Sequence, residues 1–171
     1  MLQTNHLVEL SDGCLEILPM PTHAHQMVVA LLYGLLKAFV DAKDPGGVVL
    51  FAPLWIRLRP GKIREPDLVY MRSDHRSRIH DYWEGADLVL EVVSPGNPNH
   101  DRKVKRGEYA RAGIPEYWLV DTLERQIVVY FLKGKSYRQA GTYGPGTIAS
   151  SVLLDGWVVN VDSVFALLDQ K

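Results

Sequence analysis

The chain has 171 residues, 47% of them apolar, and its 19 Lys and Arg against 20 Asp and Glu leave a net charge of −1. That balance is ordinary for a globular protein with a sizeable core and rules out a chain that holds nucleic acid by bulk charge alone. No apolar run nears the roughly 20 residues of a membrane span, the first residues lack the basic start and apolar stretch of a signal peptide, and the lone Cys14 can form no internal disulfide. One soluble cytoplasmic domain over residues 1–171, away from any membrane, is the expectation.

Leu7 to Leu18 alternates apolar and polar residues around Asp12-Gly13, a hairpin-turn dipeptide, which predicts two short strands. Pro19 and Pro21 interrupt the chain. From Thr22 to about Asp41, Met27, Leu31, Leu35 and Ala38, with Val28, Leu32 and Phe39 beside them, follow helical spacing, and Asp44-Pro45-Gly46-Gly47 ends that helix. Val48 to Leu58 reads as a strand, Arg59 to Lys62 as a turn, and Pro66 to Met71 as the next strand, with a polar loop following. Ala86 to Val93 is a near-continuous apolar run, the mark of a strand covered on both faces. A second helix should start at Asn97, with Pro98 in its first position, and run to about Ala112, where Gly113 and Pro115 stop it. Glu116 to Val120 and Gln126 to Leu132 are strands around an Asp121–Glu124 turn. Further short strands flank Gly144-Pro145-Gly146 and Asp155-Gly156, and Val161 to Leu168 closes the chain as a short helix. This order predicts an α/β fold with a mixed sheet, helices on its faces and extra hairpins at both ends.

Two of these strands carry an acid where burial penalises one. Glu65-Pro66-Asp67-Leu68-Val69 and Asp87-Leu88-Val89-Leu90-Glu91-Val92-Val93 each set a carboxylate among apolar, largely β-branched residues, and a desolvated carboxylate costs several kcal/mol unless it has a partner. If the two strands are neighbours, Asp67 and Glu91 reach one divalent cation, with the Val92 carbonyl as a third oxygen ligand. Hard cations such as Mg²⁺ accept that set, keeping waters and substrate phosphate oxygens in the remaining positions.

The following helix supplies a cation. Asp101, Lys105 and Tyr109 are spaced four apart and share one face, so Lys105 can lean over the sheet edge, steadied by Asp101, with Arg102 and Arg106 available to flanking phosphates. Residues 57–111 hold twelve Lys and Arg against nine Asp and Glu, so the basic excess lies in the segment that carries both acids. The blander readings are a strand-start Asp67, a solvated Lys105, a packed Tyr109 and a Ser94-Pro95 strand terminator. His23 and His25, two apart at a helix start, read as cap or core, and one Cys with scattered His makes no zinc constellation. Gly-rich phosphate loops and nucleophile elbows are absent.

Pro66-Asp67 followed, after 23 residues, by Glu91-Val92-Val93 resembles the PD-(D/E)-x-K nuclease superfamily, and the match is closer to its Uma-two family of restriction endonucleases. The residues that carry it are Pro66 to Val69, Glu91 to Pro95, Asp101 with Lys105, and Tyr109 to Asp121, with Glu9-Leu10, Asp12-Gly13, His25-Gln26 and Gly144-Pro145-Gly146 also fitting. The resemblance implies a restriction-endonuclease-like core, a mixed central sheet flanked by helices. In the parent superfamily the third catalytic position is a lysine two residues after the acid; here that position is Val93, and the family pattern moves the lysine to the helix, at Lys105.

The expected function is a Mg²⁺-dependent DNA endonuclease, Mn²⁺ serving as a substitute, with Asp67 and Glu91 on the metal and Lys105 assisting the attacking water. A homodimer would suit a double-strand cutter. A competing reading is a catalytically silent nuclease fold that binds DNA or another protein. A third is a partner subunit using Trp55, Tyr82, Trp83 and Trp157 as an interface, where core packing serves equally well.

Overall fold

The computed structural model describes residues 8–93 and 99–169, the side chain at position 101 excepted. Strands β1 (Val8–Ser11) and β2 (Cys14–Ile17) form the expected hairpin, and Asp12 (φ 52°) and Gly13 (φ 88°) adopt the left-handed conformation that a two-residue turn requires. Helix α1 (His23–Lys43) begins at Thr22, whose hydroxyl accepts from the His25 amide at 3.2 Å. Val28, Val29, Leu32, Leu36 and Val40 form its buried stripe, whereas Met27, Leu35 and Ala38 of the expected set are exposed and Leu31 is half-buried. At 21 residues α1 is long and apolar enough to cross a membrane by number alone, but that stripe is packed in the core.

The stretch expected as one strand from Val48 to Leu58 is two, in different sheets: β3 (Val48–Phe51) and β4 (Ile56–Arg59). The break falls at Ala52-Pro53, where proline removes a ladder donor. Two short strands that the sequence did not announce follow the same logic of pairing: β5 (Lys62–Arg64) closes a hairpin with β4, and β7 (Trp83–Glu84) lies parallel to β4. Between them come β6 (Leu68–Met71) and a 3₁₀ turn over Ser73–Arg78, and β8 (Leu88–Val92) follows. A π-helical segment, His100–Lys105, leads into α2 (Arg106–Arg111). The expected helix start at Asn97-Pro98 and the Ser94-Pro95 strand end lie outside the described residues, as does the Asp101 side chain on which its expected pair with Lys105 depends. The rest runs β9 (Glu116–Asp121), β10 (Gln126–Lys133), β11 (Ser136–Tyr143), β12 (Ile148–Ser150), β13 (Val158–Asn160) and α3 (Val161–Phe165).

The central sheet has the order β11-β10-β9-β8-β6-β3, parallel only between β8 and β9. A five-stranded sheet, β2-β1-β5-β4-β7, stands beside it. Strand alternation divides the core in two. Leu68, Tyr70, Leu88, Leu90 and Val92 face α1 and α3, whereas Val69, Met71, Val89 and Val93 face Ile56, Trp83 and Tyr109. One face is therefore covered by helices, as expected, and the other by α2 together with residues of β4 and β7. Trp83 and Trp157 are buried in these two cores, which leaves only Trp55 and Tyr82 of the interface candidates partly exposed.

Candidate active site

Strand register brings the two acids to one place. β6 pairs antiparallel with β8, Leu68 opposite Leu90 and Val69 opposite Val89, so one more step sets Asp67 opposite Glu91. Both fall on the face that carries Val69 and Val89.

Glu91 is buried in the middle of its strand, and its Oε1 accepts from Lys105 Nζ at 3.0 Å and from the Tyr109 hydroxyl at 2.5 Å. The two donors lie four residues apart in the helical segment, which aims both at the sheet. Burial, reinforced by the charge of Glu91, holds the Tyr109 hydroxyl well above its usual range, so it stays a donor. Lys105 Nζ also lies 3.4 Å from Glu9 Oε1, and one buried ammonium thus sits between an acid of β8 and an acid of β1. Asp67 Oδ2 accepts from the Val92 amide at 2.7 Å and lies 3.2 Å from His25 Nε2. His25, expected as cap or core from its position at the helix start, is neither: Thr22 caps α1 by accepting from the His25 amide, and the His25 ring is turned to Asp67, 42 residues away in sequence, which no local spacing could show.

Asp67, Glu91, Val92 and Lys105 line one cavity of about 570 Å³. Glu16, Glu65, His25 and His100 line it too, and Ile17 to Pro21 with Ala52 and Pro53 form an apolar wall. Four carboxylates thus face the ammonium of Lys105 and two imidazoles, an excess of negative charge that suits a hard cation. Arg102 and Arg106 are not part of this lining. Arg102 is paired with Asp121 at 2.6 Å, and Arg106 donates to the Tyr130 hydroxyl at 3.2 Å with its guanidinium over that ring.

Two features beside the cavity escaped the sequence. The first is Glu65, 5% exposed, whose Oε2 has no hydrogen-bond partner among the described residues. Burial, then the negative charges of Glu9 and Asp67, push its carboxyl up to about 7, against the pull of Lys105. The second is Arg64, fully buried, which forks onto Glu108 (Nε to Oε2 2.6 Å, Nη2 to Oε1 3.0 Å) and reaches Glu9 at 2.9 Å and Glu16 at 2.7 Å. Burial alone would raise the Glu108 carboxyl, but hydrogen bonds from Arg64 and Lys62 hold it below the usual carboxylate range.

A group that the scattered histidines did not announce also forms: donor atoms of Glu9, Glu16 and His100 lie within 4.8 Å of one another. Both of those carboxylates accept from Arg64 Nη1, so the group already holds a cation of its own.

The family model Uma2, described as "Putative restriction endonuclease", matches residues 2–162. Among solved structures, the chain is similar to a putative nuclease of the DUF820 group from Anabaena variabilis ATCC 29413, with a TM-score of 0.81 and 15% sequence identity. That alignment covers 98% of this chain and 94% of that one, a likeness of fold across the whole length. No curated protein matches the sequence.

Proposed function

The chain belongs to the Uma2 family, and on that premise we propose that it is a divalent-cation-dependent DNA endonuclease whose site is the cavity floor of Asp67, Glu91, Val92 and Lys105. One observation supports this most directly: acids from two adjacent strands and an ammonium 3.0 Å from one of them line the same cavity. The donor set fits a hard cation, since Asp67, Glu91 and the Val92 carbonyl would offer only oxygen. A bound Mg²⁺, or Mn²⁺ in its place, supplies a water of lowered pKa and neutralises charge on the scissile phosphate.

The chain's own groups do the rest. Asp67 is held by the Val92 amide and His25, so its carboxylate keeps one orientation as substrate enters. Lys105, fixed between Glu91 and Glu9, positions the attacking water and stabilises the negative charge that develops on phosphate in the transition state. Tyr109 keeps Glu91 in place through a hydroxyl that does not ionise. Arg102 and Arg106 would reach flanking phosphates only by leaving Asp121 and Tyr130. Cutting both strands of a duplex takes two such sites, which a two-fold homodimer would present.

The test is incubation with supercoiled plasmid, linear duplex and single-stranded DNA in Mg²⁺, in Mn²⁺ and in chelator, beside the Glu91→Ala variant. Nicking by the wild type that the variant and the chelator abolish is the expected result. No cleavage of any substrate in either metal would leave the silent binding module as the better reading.

A further inference from the structure

Glu65 lines the cavity with Asp67 and Glu91, yet the reaction proposed above gives it no part. We infer that the Glu65 carboxylate is a third protein ligand for the divalent cation, alongside Asp67 and Glu91. The inference rests on the reading of this cavity as a metal site.

Three observations lead to it. Glu65 is 5% exposed and its Oε2 has no hydrogen-bond partner among the described residues, an arrangement that natural proteins keep only for a reason. The nearby cations serve other acids: Arg64 spends its donors on Glu108, Glu9 and Glu16, and Lys105 lies 3.0 Å from Glu91 and 3.4 Å from Glu9. The Glu65 amide is also fixed by Glu9 Oε1 at 3.0 Å, and Pro66 restricts the backbone between it and Asp67. Two acids one proline apart therefore stand at the edge of β6 as a stiff pair beside Glu91. A hard oxygen-seeking cation satisfies the buried oxygen and offsets the negative charge of the carboxylates that line the cavity around it.

The Glu9, Glu16 and His100 cluster is the weaker candidate. Its two carboxylates share the guanidinium of Arg64, and a second cation there would have to displace it.

The experiment is calorimetric titration of the metal-free full chain with Mn²⁺ at pH 8, comparing wild type, Glu65→Gln, Glu65→Asp and Asp67→Asn, with circular dichroism as the check on folding. Loss of groups that merely orient a metal ligand costs about 10–100-fold in affinity, so Glu65→Gln should weaken Mn²⁺ binding by roughly tenfold or more, and Glu65→Asp should recover part of it. Anomalous scattering from Mn²⁺ soaked into wild-type crystals should place the ion in contact with Glu65, a measurement independent of whether any variant folds. Unchanged affinity in Glu65→Gln with loss in Asp67→Asn, or an ion bound away from Glu65, overturns the inference and leaves the nuclease reading standing. Glu65-dependent binding by a wild type that cuts no DNA keeps the inference and sinks the nuclease. No Mn²⁺ binding by the wild type overturns both.

Discussion

Lys105 Nζ meets Glu91 Oε1 at 3.0 Å from a position fourteen residues further along the chain, on the helical segment that follows β8. A lysine two residues after the acid, as in the superfamily pattern, would share the face of Glu91; that position here is Val93, 1% exposed and packed in the core with Tyr109 and Tyr117. The strand spends the position on packing, and the helix returns the ammonium to the same volume. The wide π-helical turns end at Lys105, in keeping with the tendency of such turns to fall at functional sites.

Lys105→Ala removes that ammonium and leaves two buried acids facing each other. Plasmid cleavage should fall by about 10²–10⁴-fold, the usual contribution of a positioned group in proton transfer, while Mn²⁺ affinity measured by calorimetry stays within a few-fold of wild type. Cutting at the wild-type rate would remove Lys105 from the mechanism.

At Asp67 the two roles of the carboxylate can be separated. Asp67→Asn can still accept from the Val92 amide, so thermal denaturation should show only a small loss, while Mn²⁺ binding collapses. Asp67→Ala loses the metal as well and strands the Val92 amide, costing a further amount of about 1–3 kcal/mol. Equal stability of the two variants would show that the amide contact contributes nothing.

Much of this was legible in the sequence, for reasons that differ from element to element. The Asp12-Gly13 turn and the apolar run of β8 are local signals, and each formed what it announced; α1 formed too, but its buried stripe lies one position round from Met27, Leu31, Leu35 and Ala38, because the sheet it packs on selects the face. The β3–β4 break had its local signal in Pro53, but that the two halves join different sheets, and that β5 forms at all, is decided by pairing and not by periodicity. An acid on a buried strand does not by itself mark a site in this chain. Asp87, Glu116 and Asp121 are as buried as Glu91. Asp87 accepts from the Arg72 amide and faces His75; Glu116 accepts from Ser151, Val152 and Leu153; Asp121 takes Arg102. A buried acid signals a partner. What sets Asp67 and Glu91 apart is register and a shared cavity, and neither could be read before β6 was seen beside β8. The contacts of Arg64, some 44 to 55 residues distant in sequence, were beyond reach for the same reason.

Arg64→Met should be among the most damaging substitutions in the chain. It removes the cation shared by Glu9, Glu16 and Glu108 and leaves their charge buried, which costs about 3–5 kcal/mol. Arg64→Lys should not rescue it, since a single ammonium cannot reproduce the fork onto Glu108 together with the contacts to Glu9 and Glu16. Urea unfolding checks both; a loss under 1 kcal/mol in Arg64→Met would mean that the cluster relaxes or protonates without cost.

Glu65 gives the metal-free protein a predictable pH dependence. Its carboxyl sits at about 7 in the folded chain against 4.5 as the ordinary value, raised by burial and then by Glu9 and Asp67. Below pH 4.5 folded and unfolded chains both carry the proton, and Glu65 does not oppose folding. From pH 4.5 to 7 the unfolded chain releases it while the folded chain keeps it, so stability falls as pH rises; above 7 the loss is complete, at about 3 kcal/mol. Glu65→Gln cannot titrate, so the gap between variant and wild type in urea unfolding, measured in chelator, should widen in favour of the variant across that window and then level off. Adding saturating Mn²⁺ at pH 8 should stabilise the wild type more than the variant and narrow that gap, by about 1.4 kcal/mol for each tenfold difference in affinity. A gap that stays constant from pH 4.5 to 8 would mean that Glu65 does not hold its proton in the folded chain.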